Sequence, residues 1–315
     1  RRIALPRLWV LASIEGDRKD GSRMRPEILD HAGPLLADYD VVLCDIWGVL
    51  HSGGDAHPEA SDALMRFRAP NRERGAGTVI LVSNAPMAAV AVGHLLDGKK
   101  LDRSAWDAIV CSGEIALTHI AGKGYRRIHR IGPQRRDASF FDRLPGPDIP
   151  LNEAEAIACT GLVDDRRETA SDYLALLQRA RARGLPLVCA NPDLVVEVNG
   201  VMLPCAGAVG ALYEEIGGTV FWAGKPHSSA YAGALAEAER LRGGAIEPAR
   251  VLAIGDAVRT DLAAAANAGV DALFVTSGIH REAVMTDGRI IAEKLTALLA
   301  DNRMPARAAM PLLRW

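Results

Sequence analysis

The stretch VVLCDIWGVLHSG, residues 41–53, decides how the rest of the chain is read. Val41, Val42 and Leu43 form a continuous apolar run, as a strand covered on both faces does. It delivers Asp45 into a loop that begins at Gly48. A strand-end carboxylate in this setting is usually followed two residues later by a second one. Here that place is held by Trp47.

Working outward, short apolar runs alternate with helical patterns, which predicts a parallel sheet with crossover helices. Core strands are expected at Val41–Ile46, Thr78–Ser83, Ala108–Cys111, Val220–Ala223, Val251–Ile254 and Ala272–Thr276. Helical spacing marks Asp62–Arg68, Ser229–Arg242 and Asp261–Ala268, and Gly269 stands where a C-cap glycine belongs. Between about 124 and 205 lies a second set of elements: Arg126–Ile131, Ala156–Thr160, a helix over Asp172–Arg183, and Pro186–Ala190. Two extended runs then flank Asn199-Gly200, a pair that accepts the positive φ of a type I′ hairpin turn.

The expected fold is therefore α/β: a doubly wound parallel-sheet core over 38–123 and 206–300. An α/β domain of ordinary small-domain size is inserted at 124–205. Residues 301–315 are expected to be a tail, and 1–37 a partly disordered extension. Within that extension Leu8–Ile14 is a minimal apolar stretch with no small-x-small cleavage site, so a signal peptide is disfavoured and Met24 is a reasonable natural start.

With 315 residues, 49% of them apolar, the chain can bury one large or two medium cores. Its 37 basic and 39 acidic residues leave a net charge of −2, which offers nucleic acid no general attraction. Aromatics at 5% are too few for a base-stacking platform. No run approaches the ~18 apolar residues of a membrane span. Cys44, Cys111, Cys159, Cys189 and Cys205 are odd in number and lack CxxC spacing. They read as buried reduced thiols of a cytoplasmic protein. A homodimer is compatible with all of this. The arginines at 126, 127, 130, 135 and 136 read as a solvated face, an anionic-substrate contact being the alternative.

Four segments at strand ends carry polar groups suited to phosphoryl chemistry: DIWGVL (45–50), LVSNAP (81–86), AGKPH (223–227) and IGDAVRTD (254–261). Each alone is a weak signal. In a doubly wound sheet, however, the carboxyl ends of the strands converge on one crevice. In this order the segments resemble the four motifs of the haloacid dehalogenase superfamily, and the match is close to its NagD-like branch, subfamily IIA. ANPD (190–193) and CAGAVGALYEEIGG (205–218) resemble that branch's cap segments. The insert also falls after the second motif, as it does in phosphatases of the branch.

The resemblance implies a Mg²⁺-dependent phosphatase acting on a small phosphorylated metabolite, a sugar phosphate or nucleotide monophosphate. Asp45 is then the nucleophile, and Ser83 and Asn84 bind the phosphoryl group. Lys225 neutralises charge there. Asp45, the Trp47 backbone carbonyl and Asp256 hold the metal, with Asp261 orienting Lys225 or a metal-bound water. In the family pattern the residue at Trp47 is an Asp that also protonates the leaving group, which an indole cannot do. Losing such help costs typically 10²–10⁴-fold, about 3–5.5 kcal/mol of barrier. A slow phosphatase is therefore expected, the alternative being a silent protein of the same fold that binds a phosphorylated ligand in a regulatory role. His51, in the same loop, has the pKa range of a substitute acid, although a structural role for it is the simpler expectation.

Overall fold

The structure, a computed structural model, describes residues 25–54, 56–70, 75–198 and 200–315. Its strands in chain order are β1 (Glu27–Ile28), β2 (Val41–Cys44), β3 (Thr78–Ser83), β4 (Ala108–Cys111), β5 (Ile128–Ile131), β6 (Ala156–Cys159) and β7 (Leu187–Cys189). They continue as β8 (Val195–Val198), β9 (Val201–Pro204), β10 (Val220–Trp222), β11 (Val251–Gly255), β12 (Asp271–Val275), β13 (Met285–Thr286), β14 (Arg289–Ile290) and β15 (Ala308–Met310). The large sheet runs β1-β15-β12-β11-β2-β3-β4 and is parallel throughout.

Alternate residues of β2 explain its unbroken apolar run. Val42 and Cys44 pack into one cluster with Leu64 and Phe67 of the helix Pro58–Arg68, while Val41 and Leu43 pack into another with Ala234 of the helix Ser228–Arg242. Both faces are covered, so no polar alternation survives. The chain leaves β2 towards β3 and β4 on one side and returns through β11 and β12 on the other. Asp45 therefore follows the strand at which the winding reverses, the place where such sheets hold ligands.

A second parallel sheet, β10-β7-β6-β5, forms the insert's core. It corrects the expected boundary in one respect. The run at 220–223 is a strand, but β10 pairs with β7 through Val220–Leu187 and Phe221–Val188, so it belongs to the insert. The helix Ala206–Glu215 likewise buries Ala206, Val209 and Tyr213 against Ile157 and Leu187 of that sheet. The pairing partner, and not local hydrophobicity, decided the assignment.

The ends of the chain need a second correction. β15 lies in the sheet between β12 and β1, with Ala308, Ala309 and Met310 fully buried, and Leu36 of the short helix Gly33–Leu36 is buried too. Segments expected to be extension and tail thus complete the core. The expectations for residues 1–24, including Met24, lie outside the described residues.

The predicted hairpin forms, β8 pairing antiparallel with β9, and Gly200 has φ 77°; Asn199 lies outside the described residues. Gly269 caps its helix in the left-handed region. The five cysteines are buried and unpaired with one another. Among the described residues no helix is long and apolar enough to cross a membrane.

Candidate active site

The strand ends bring the four segments together. Lys225 Nζ donates to Asp45 Oδ1 at 2.7 Å, to Asp261 Oδ1 at 2.6 Å and to the Val82 carbonyl at 2.9 Å. All three side chains are buried. Burial alone would strip Lys225 of its proton, but Asp261 and Asp45 reverse that and hold its pKa well above the usual lysine value. Asp45 is pushed up to about 7 by burial, with Lys225 working against the shift and Asp261 with it. Asp256 is raised well above the usual aspartate value by burial and by repulsion from Asp45 and Asp261.

Asp261 sits on a single π-helical turn, Val258–Leu262, before the helix Ala263–Ala268. Such widened turns often mark functional sites. Here the turn lets Asp261 Oδ2 accept from the Ala257 amide at 3.1 Å while Oδ1 faces Lys225. Asp256 Oδ2 accepts from the Ile279 amide at 2.8 Å. Gly48 makes room for it. Its φ is +86°, and a Cβ there would lie 2.2 Å from Asp256 Oδ2.

Oxygens of Asp45, Asp256 and Asp261 lie within 4.8 Å of one another. Three buried carboxylates against one ammonium leave excess negative charge, which adds to the burial that raises Asp45 and Asp256. An all-oxygen, under-neutralised donor set suits a hard divalent cation. The residues present therefore fit the expected metal.

Ser83 ends β3 beside Asp45, and its hydroxyl accepts from the Ala85 amide at 3.2 Å. Asn84, expected to bind substrate, lines the cleft with Ser83, and its side chain is engaged in other bonds. Its amide group donates to Asp193 Oδ1 (2.9 Å) and the Lys225 carbonyl (3.0 Å), and its oxygen accepts from the Lys225 amide (2.8 Å) and Ser112 Oγ (3.2 Å). Asn84 thus ties the end of β3 to Asp193 and to the Lys225 backbone. Only the ANPD resemblance hinted at Asp193. Its carboxyl is pushed up to about 6 by burial.

Trp47 is half-buried and lines the same cleft, of about 1140 Å³, as Asp45, Ser83, Lys225 and Asp256. Its ring meets His51 edge-on, centroids 5.0 Å apart. His51 is 2% exposed and is not among the residues lining the cleft. Its Nδ1 accepts from the Gly53 amide at 3.1 Å, and burial, aided by Lys99, pushes its pKa down to about 4. A neutral, enclosed imidazole supports the Trp47 ring; it is not placed as a substitute acid. Of the five clustered arginines, Arg136 alone lines the cleft, where Asp137 and Asp165 hold it.

A family model described as haloacid dehalogenase-like hydrolase matches residues 42–142, and one described as HAD-hydrolase-like matches 222–301. A search among curated proteins found no match. Among solved structures, a hydrolase of the haloacid dehalogenase-like family from Brucella suis 1330 is 38% identical, covering 91% of this chain and 99% of that one, with a TM-score of 0.76. A possible sugar phosphatase from Cytophaga hutchinsonii (19% identical, covering 90% and 96%, TM-score 0.68) and NagD from E. coli K-12 (20%, 87% and 96%, 0.60) share the fold. With the Brucella protein matched over nearly its whole length, the chain belongs to the haloacid dehalogenase-like hydrolase family.

Proposed function

We propose that the chain is a phosphatase that hydrolyses a small phosphomonoester, a sugar phosphate or nucleotide monophosphate, with Mg²⁺ as its cation. The observation that carries this reading is the single buried cluster in which Lys225 Nζ lies 2.7 Å from Asp45 and 2.6 Å from Asp261, with Asp256 beside them. The phosphatase likeness of the Cytophaga fold neighbour supports it. Asp45, Asp256 and the Trp47 backbone carbonyl would hold the cation, which when bound would neutralise the carboxylates and draw charge from the phosphoryl oxygens.

Asp45 attacks phosphorus, the ester oxygen departs with the bonding pair, and an aspartyl-phosphate forms. Water then cleaves the acyl-phosphate, returning Asp45 and releasing phosphate. Lys225, held charged by Asp261, stabilises the negative charge gathering on the transferring group, and the Ser83 hydroxyl donates to one of its oxygens. Asn84 fixes the Lys225 backbone. Trp47 supplies no proton, so the reaction is slow for esters whose alcohol needs one. Five buried, unpaired cysteines fit the cytoplasmic setting that belongs to this reading.

The test is p-nitrophenyl phosphate hydrolysis with MgCl2, wild type against Asp45→Asn. Turnover well above that of the variant is expected. Equal rates would leave the silent, ligand-binding alternative in its place.

A further inference from the structure

The insert's sheet is parallel, and the loops following β5 and β6 both reach the cleft. Open parallel sheets bind ligands beyond the carboxyl ends of their strands. The insert thus presents a binding edge of its own across the cleft from Asp45. On that edge Arg136 Nε donates to Asp137 Oδ1 at 3.1 Å, and a terminal nitrogen donates to Asp165, while 54% of the arginine side chain stays exposed.

Beneath it, Asp137 is 3% and Thr160 1% exposed, yet Asp137 Oδ2 and Thr160 Oγ1 have no hydrogen-bond partner. Burial raises the Asp137 pKa, and the neighbouring Thr160 hydroxyl, with Arg136, works against that shift. The hydroxyl and carboxyl are therefore neighbours, but no bond of good geometry joins them. Buried polar groups are rarely left open without a reason. At a ligand-binding edge, a donor and an acceptor left open side by side match an incoming hydroxyl, which both gives and takes a hydrogen bond.

Charge narrows the class. Arg136 against Asp137 and Asp165 leaves one negative charge; along the rest of the cleft Glu197 and Glu282 offset Arg166 and Arg281, and Asp193 adds a further carboxyl. A second anionic group on the substrate would be repelled. We propose that Arg136, Asp137, Thr160 and Asp165 form the leaving-group site, selecting a hydroxyl-rich, otherwise uncharged alcohol and disfavouring phosphomonoesters that carry a second anion. The proposal rests on the phosphatase reading and assigns its substrate class.

The experiment compares kcat/KM for glucose 6-phosphate, 3-phosphoglycerate and p-nitrophenyl phosphate in the wild type, Thr160→Val, Thr160→Ser and Asp137→Asn. Glucose 6-phosphate is expected to exceed 3-phosphoglycerate by about tenfold or more. Thr160→Val and Asp137→Asn should lower the ratio of glucose 6-phosphate to p-nitrophenyl phosphate about tenfold, chiefly through KM, as loss of a buried hydrogen bond does. Thr160→Ser should restore that ratio. Preference for 3-phosphoglycerate, or a ratio unmoved in both variants, overturns the proposal. If p-nitrophenyl phosphate turnover does not exceed that of Asp45→Asn, the phosphatase reading fails instead. Calorimetric binding of glucose 6-phosphate then decides the site: weaker binding by Thr160→Val upholds it, and equal affinity overturns it.

Discussion

At the scale of single residues, the phosphatase reading has Trp47 separate two jobs that the family resemblance gives to one aspartate. Its backbone can still contribute a carbonyl oxygen, while its side chain is a ring braced by His51 and Gly53 at the cleft wall. Restoring a carboxylic acid should therefore speed esters in proportion to their need for a proton. Trp47→Asp is expected to raise kcat/KM for an alkyl phosphate by up to ~10²-fold, the lower end of what general acids contribute, and to raise that for p-nitrophenyl phosphate much less. Equal gains on both esters would mean that proton transfer does not limit the rate. Gly48 makes a second residue-scale test. Gly48→Ala places a Cβ 2.2 Å from Asp256 at φ +86°, so the loop or the carboxylate must move. Loss of the Mg²⁺-induced rise in melting temperature, with the far-UV circular dichroism preserved, is expected. An unchanged rise would refute the tight packing of Asp256 against that loop.

At the scale of elements, what could be read in advance follows from how local each signal was. β2, β3 and β11 are interior strands and β4 is an edge strand, and their apolar runs are long enough to be legible alone. β1 has two residues and β15 is Ala308, Ala309 and Met310, so neither carries a strand's hydrophobic signature; pairing in the sheet makes them strands. β10 was legible as a strand but its sheet was not, because β7, its partner, lies over thirty positions away. The site divides in the same way. Asp45, Ser83, Lys225 and Asp256 were legible as strand-end groups, whereas the Asn84 clamp uses partners 109 and 141 positions distant and left no local trace. A test of β15 follows. Deleting residues 306–315 bares the edge of β12, detaches β1 and removes Met310 and Leu313, both fully buried. Each such side chain is worth ~2–5 kcal/mol, against a total stability of about 5–15 kcal/mol. The truncated chain is expected to be insoluble or to lack a cooperative melt, and a melt like that of the full chain would show that the strand is dispensable.

At the scale of the whole molecule, the proposed cation site would couple metal binding, protonation and folding through the core's buried carboxylates. Asp45 titrates at about 7 in the folded chain, against about 3.9 for an ordinary aspartate. The folded state therefore holds this proton more tightly than the unfolded one, and without metal the protein loses stability as pH rises from about 4 to about 7. Asp256 shifts in the same direction. His51 works oppositely. Its folded pKa of about 4 lies below the usual value, so its contribution is lost as pH falls from about 6.5 towards 4. Melting temperature against pH alone would mix the two effects. The difference with and without Mg²⁺ isolates the carboxylates, because His51 lies outside the proposed ligand set and is not among the residues lining the cleft. A cation must displace the protons, so its stabilisation, RT ln(1 + [L]/Kd) or about 2.7 kcal/mol at 100 Kd, should be small at about pH 5 and large at about pH 8. The expected result is an MgCl2-dependent rise in melting temperature that grows across that interval in the wild type and vanishes in Asp256→Asn. A rise equal at both ends would show that the cation does not bind through these carboxylates.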